Sequence, residues 1–231
     1  MSRSEAIIFD MDGVIVDSEP RHEAAFLEVV RAIGYGERLN LRFDDFVGRS
    51  DHELWQAFIK THQPPHSLQE LLERKRQRVI EIIRREQPLF DGLTALVEKI
   101  APRYRLGVAS GSEKLVVEEV LALQELRKFF RATVTASDVK HGKPAPDIFL
   151  RTADLLEVTP ENCWVIEDSK PGIAAGLAAG MKVIAITNTY PAAELRQATY
   201  VVSTYGEIER LLIERLLAGE CVNGPKSKLE S

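Results

Sequence analysis

Residues 6–13 read AIIFDMDG: an apolar run, two carboxylates two positions apart, then glycine. Continuous rather than alternating hydrophobicity suits a strand covered on both faces, as in a parallel sheet. In an open α/β sheet, ligands bind outside the carboxyl ends of strands, so Asp10 and Asp12 stand where a site is expected. Alternation along an extended chain turns both side chains to the same side, and Gly13 lets the backbone turn sharply. An EF-hand loop is excluded, because Val14 replaces its third ligand and Gly13 comes too early. Ordinary turn chemistry after a strand, where Asp and Gly are common, stays open on this stretch alone.

Working outward, similar apolar runs recur at RLGVAS (105–110), ATVTA (132–136), CWVIE (163–167), KVIAIT (182–187) and YVV (200–202). Amphipathic segments at 93–101, 113–123, 147–156 and 171–179 lie between them. This alternation predicts a doubly wound α/β domain. Residues 20–86 contain no convincing strand. EPRHEAAFLEVVRAIG, SDHELWQAFIKTH and SLQELLERKRQRVIEIIRRE read as helices. Two of them begin with capping boxes, Ser50 with Glu53 and Ser67 with Glu70. A helical block inserted after the first strand suggests a cap domain, with linkers near 15–20 and 86–91. The expected division is a core of 1–17 and 87–218, a cap of 18–86 with Trp55 and Phe58 in its interior, and a polar, disordered tail of 219–231.

Bulk composition narrows the function classes. At 231 residues and 45% hydrophobic, the chain can form a sizeable core plus a small insert. A net charge of -5 shows no general basic surface, so a nucleic-acid partner is not expected. No apolar run approaches the roughly 20 residues needed to cross a bilayer, and the N-terminal apolar stretch is too short for a signal peptide. Two cysteines, Cys163 and Cys221, make a disulfide framework improbable and fit a reducing cytoplasm. A monomer is the default expectation.

Other strand ends add chemistry. Trp164-Val165-Ile166-Glu167-Asp168-Ser169 is a second buried strand ending in acids. If it neighbours strand 6–9, Asp10, Asp12, Glu167 and Asp168 converge. Carboxylates that close repel strongly unless neutralised, and a hard divalent cation with oxygen ligands would neutralise them. Asp168 or Ser169 also suits a helix N-cap before Pro171, and both readings can hold together. In Gly142-Lys143-Pro144, a lysine at a strand-to-helix junction offers a point charge for phosphate; a solvated surface lysine is the plainer alternative. Val108-Ala109-Ser110-Gly111-Ser112 ends a strand with a hydroxyl before a helix, a ready anion site, unless Ser110 or Ser112 only caps that helix. Together the strand ends supply a nucleophile, metal ligands, a hydroxyl donor and a cation.

In this order the four elements resemble the haloacid dehalogenase superfamily: FDMDGVIVDSEP its first motif, VASGS its second, GKPAPDIF its third and VIEDS its fourth. The resemblance covers roughly residues 5–217. It implies a Rossmann-like parallel sheet core flanked by helices, and the helical insert is similar to the small cap of the β-phosphoglucomutase-like branch. By that resemblance Asp10 is the nucleophile and forms an aspartyl-phosphate, and Asp12 is the general acid/base. Ser110 and Lys143 bind the transferring phosphoryl group, with Gly111 and Ser112 beside it. Asp10, the backbone carbonyl of Asp12, Glu167 and Asp168 hold Mg2+. Glu19 and His22 follow the first motif and should lie at the hinge or face the site; a structural role is the alternative for His22. Arg49 and Lys75 are expected to contact the leaving group. A solvated face is the plainer reading for most of the basic run Arg74, Lys75 and Arg76. The implied function is a magnesium-dependent phosphatase acting on a small phosphorylated metabolite, sugar phosphates first. A β-phosphoglucomutase-type mutase shares the same catalytic residues and is the rival. Pro20, and the absence of a lysine directly before Gly48, depart from the mutase pattern. A non-catalytic binding protein on the same scaffold is a third reading.

Overall fold

The computed structural model describes residues 5–36 and 51–217. Six strands, β1 (Ala6–Phe9), β2 (Arg105–Ser110), β3 (Phe130–Thr135), β4 (Cys163–Glu167), β5 (Lys182–Ile186) and β6 (Tyr200–Val202), form one sheet in the order β3-β2-β1-β4-β5-β6. Every pairing is parallel. β1 therefore lies at the switch point, where the chain has wound outward in both directions and a crevice opens at the strand ends.

The continuous apolar runs follow from two-sided burial. Ile7 and Phe9 enter a core on one face, with Leu93, Leu96, Val117, Ile208 and Leu212. Ala6 and Ile8 point to the other face, among Ile148, Phe149, Ala153 and Ile173. The first set of helical partners lies on α4 (Leu93–Ile100), α5 (Lys114–Ala122) and α8 (Tyr205–Leu217). The second lies on α6 (Asp147–Leu156) and α7 (Lys170–Ala178). The predicted strands and helices match these elements to within one or two residues. Among the described residues, the sequence reading lacks α8 and the short 3-10 segments, the longest at Leu123–Phe129.

The inserted block is helical: α1 (Glu19–Ala32), α2 (Asp51–His62) and α3 (Leu68–Glu86). It holds a small cluster of its own, Phe26, Val29, Val30, Leu54, Trp55, Phe58 and Leu71. α3 joins the two regions. Leu71 belongs to that cluster, whereas Val79, Ile82 and Ile83, farther along the same helix, enter the sheet core. The two linkers run side by side, tied by Asp17 N–H to the Pro88 carbonyl at 2.9 Å and by a bridge between Val16 and Leu89. Ser67 caps α3 by accepting from the Glu70 N–H at 3.2 Å. The expected capping box at Ser50 and the predicted tail lie outside the described residues.

Candidate active site

The strand ends converge as β1 and β4 pair. Asp10 and Glu167 are buried, and their carboxylates grip one ammonium: Lys143 Nζ donates to Asp10 Oδ1 at 2.6 Å and to Glu167 Oε1 at 2.7 Å. Lys143 is thus no solvated surface lysine; its ammonium also sits 5.0 Å from the centre of the Phe149 ring. Burial disfavours the charge, but the two carboxylates outweigh that and raise the Lys143 pKa, keeping the group cationic. Glu167 Oε2 accepts from Asp168 N–H, Ser169 N–H and Ser169 Oγ at 2.8, 2.8 and 2.9 Å. Oε2 thus carries three donors, while Oε1 carries Lys143 and keeps a lone pair. Glu167 therefore anchors Lys143 and the start of α7. Ser169 fills the N-cap position, accepting from Gly172 N–H at 3.2 Å.

Asp12 does not follow Asp10. β1 ends at Phe9, and the chain then closes a tight turn in which Val14, Ile15 and Val16 all donate to the Met11 carbonyl. Strand alternation is lost there, yet both acids line the same cavity. Asp12 accepts instead from Ser18 Oγ at 2.6 Å and Ser112 Oγ at 2.7 Å, with Ser110 Oγ at 3.4 Å. Neither Ser110 nor Ser112 caps α5; Glu113 holds that position. Ser110 is fully buried and accepts from Ser112 N–H at 3.0 Å. The two acids thus face different partners: Asp10 an ammonium, Asp12 a ring of hydroxyls.

Gly13 makes the turn at φ +75°, and an added Cβ would stand 1.9 Å from Asp168 Oδ2. Glycine is needed here for both backbone and space. Asp10, Glu167 and Asp168 can each direct one oxygen to a common point, these atoms lying within 4.8 Å of one another. Among the described residues, Lys143 alone is a cation in direct contact with them. Burial, reinforced by neighbouring Glu167, pushes the Asp168 carboxyl up to about 7. Burial likewise pushes Asp10 well above the usual carboxylate range despite Lys143. A hard divalent cation would relieve this excess of negative charge, so the residues present fit magnesium.

The site opens into a cavity of about 690 Å3, whose lining includes Asp10, Asp12, Lys143, Asp168, Gly111 and Ser112. From the helical layer, Glu19, His22 and Lys75 reach the same cavity. Lys75 is fully buried rather than solvated, and its ammonium lies 3.2 Å from His22 Nδ1. Arg74 is exposed and pairs with Glu70 at 2.7 Å, as a solvated helix face requires. Arg49 lies outside the described residues.

Several residues at the site carry no signal in the motifs. Asn188 Nδ2 donates to the Gly13 carbonyl at 2.8 Å, and the buried Tyr205 hydroxyl donates to the Val14 carbonyl. Both hold the turn that carries Asp12. Thr189 hydrogen-bonds Asp168. Asn188 and Thr189 follow β5, so the rule that directed attention to the other strand ends would have found them. Tyr205 opens α8 and has no such cue.

Comparison with known proteins supplies the family. The haloacid dehalogenase-like hydrolase family matches residues 7–186. Fructose-1-phosphate phosphatase YqaB of Escherichia coli K12 is 37% identical over 189 residues, covering 79% of this chain and 96% of the relative. Hexitol phosphatase B of the same organism is 35% identical over 190 residues, covering 78% and 82%. Among solved structures, a β-phosphoglucomutase from Clostridium difficile superposes with a TM-score of 0.74 at 25% identity, covering 94% of this chain and 98% of that one. The chain belongs to the haloacid dehalogenase-like hydrolases.

Proposed function

We propose that this haloacid dehalogenase-like hydrolase is a phosphatase that releases phosphate from a small phosphorylated sugar or polyol through an aspartyl-phosphate on Asp10. The observation that carries the reading is the division of labour between Asp10 and Asp12 at the mouth of one cavity. Asp10, held at 2.6 Å from Lys143, has a nucleophile's setting beside a cation that offsets repulsion from the incoming phosphate. Asp12, held by hydroxyls, has the setting of a proton carrier.

In the first step an Asp10 oxygen forms a bond to phosphorus while the bond to the leaving oxygen breaks, and Asp12 gives that oxygen a proton. In the second step Asp12 takes a proton from water, whose oxygen displaces Asp10 and frees phosphate. Lys143 and the Ser110 hydroxyl hold the phosphoryl oxygens in both steps. Magnesium would be held by Asp10, Asp168 and the Asp12 backbone carbonyl, with Glu167 as the third carboxylate at that face, and would supply charge stabilisation at the phosphoryl oxygens.

The two phosphatases compared above favour hydrolysis, and their named substrates suggest ketose or hexitol phosphates. Transfer to a sugar hydroxyl in place of water would make the enzyme a mutase, a reading kept open by the Clostridium difficile structure. No helix among the described residues is long and apolar enough to cross a membrane, and the reading places a monomeric enzyme in the cytoplasm. The test is phosphate release from fructose 1-phosphate and sorbitol 6-phosphate, with magnesium and after chelation, alongside an assay for glucose 6-phosphate formed from β-glucose 1-phosphate. Magnesium-dependent phosphate release is expected. Isomerisation outpacing release would replace the phosphatase with the mutase.

A further inference from the structure

The helical layer brings a second set of polar groups to the cavity: Glu19 and His22 on α1, Asp51 at the start of α2 and Lys75 on α3. The Lys75 ammonium is committed to the Asp51 carboxylate. Glu19 and His22 both sense Asp12. Burial raises the Glu19 pKa, the Asp12 carboxylate raises it further, and Lys75 opposes them. Burial lowers the His22 pKa and Lys75 lowers it further, while Asp12 and Asp51 pull it up. All four line the cavity that Asp12 also lines, and under the function proposed above the leaving group departs into it.

Their charges do not suit a second phosphate. Two carboxylates face one ammonium, and His22 is held toward its neutral form. Arg76, the other cation from this layer in the cavity lining among the described residues, is taken up by Glu113 and Glu73. Counting the described residues of this wall, a phosphate dianion would meet net negative charge. A sugar or polyol hydroxyl both donates and accepts; it can donate to Glu19 or Asp51 and accept from Lys75.

We infer that Asp51 and Glu19 are specificity-determining residues that favour an uncharged, hydroxyl-rich leaving group and disfavour a second phosphate. The preferred substrate is then a sugar or polyol monophosphate. The inference rests on the proposed phosphatase reading and also bears on the mutase. A mutase cycle hands the phosphoryl group to an already phosphorylated sugar, so it passes through a bisphosphate that this wall repels.

The experiment compares kcat/KM for fructose 1-phosphate and fructose 1,6-bisphosphate in the wild type, Asp51→Asn and Glu19→Gln, with melting curves to confirm folding. The wild type is expected to favour the monophosphate by about tenfold or more, and each variant to narrow that ratio by about tenfold. Most of the change should appear in KM for the bisphosphate. A wild-type ratio near one, or a ratio unchanged in both folded variants, overturns the inference. Should one variant fail to fold, the other decides. Turnover of p-nitrophenyl phosphate by the wild type tests the phosphatase reading separately. If no phosphomonoester is hydrolysed, that reading falls, and affinities of the two phosphates for Asp10→Asn protein, with and without Asp51→Asn, still decide the selectivity.

Discussion

The sheet end and the helical layer above it hold their polar groups in different ways. At the sheet end, backbone fixes much of the frame. Glu167 is pinned by two N–H groups and a hydroxyl, Asp10 N–H is bonded to the Ile166 carbonyl at 2.9 Å, and Gly13 leaves no room for a Cβ. In the layer, Glu19, His22, Asp51 and Lys75 come from three helices, and Lys75 meets His22 and Asp51 side chain to side chain. A fixed frame suits a reaction common to every substrate. A wall built from side chains on separate helices can change without disturbing that frame.

The largest expected effect lies at the sheet end. Asp10→Asn should cut kcat/KM by about 10^4-fold or more, because it removes the attacking carboxylate. It should also raise the melting temperature of metal-free protein, since burial already disfavours the Asp10 charge. Kinetics and calorimetry on one preparation check both. Retained activity would remove Asp10 from the reaction and erase the contrast between the regions.

In the layer, the strongest test is packing. Phe26 is fully buried against Trp55, with ring centres 4.8 Å apart. Phe26→Ala should cost about 3–5 kcal/mol. If the layer is separable, urea unfolding should lose its single transition, the layer's signal moving before that of the sheet. A single transition shifted as a whole would show that α3, which enters both cores, welds them into one cooperative unit.

A smaller effect concerns charge at the sheet end. The folded-state pKa of Asp168, about 7, lies above its ordinary value. Between those two values the folded protein binds more protons than the unfolded chain, so stability is lost as pH rises through that window. Metal-free protein should lose on the order of 5 °C in Tm from pH 4 to pH 7. Magnesium at pH 7 should restore it, by binding the folded state alone. Asp168→Asn should flatten the profile and abolish the magnesium response; a magnesium response that survives this change would place the ion elsewhere.

Much of this was legible because the signals are local. The runs AIIF and CWVIE reveal the sheet, since burial on both faces demands unbroken hydrophobicity, and their acidic ends reveal half the site. The partners of Asp12 were not legible. They depend on a turn closed by Met11 and on two hydroxyls, Ser18 and the sequence-distant Ser112, whose pairing with Asp12 no local pattern announces. Asp51 was hidden for the same reason: its meaning comes from Lys75, 24 positions away. The sequence favours a solvated face for most of Arg74, Lys75 and Arg76. Helical periodicity separates them afterwards, turning Lys75 inward and leaving Arg74 exposed, with Arg76 at the cavity's edge.

Arg76 gives the smallest expected effect and the most direct probe of the contact between the regions. Its guanidinium leaves α3 to meet Glu113, at the start of α5, at 2.6 Å. Half of the Glu113 side chain remains exposed, so solvent screens the pair and its contribution should stay under about 1 kcal/mol. Arg76→Ala should therefore barely move the melting temperature. If the layer is held over the sheet end partly by this pair, KM should rise about twofold at low salt. The difference from wild type should vanish near 1 M salt, where the screening length falls to about 3 Å. A rise in KM that persists at high salt would assign Arg76 to the substrate itself, and the wall of the cavity would then carry a cation after all.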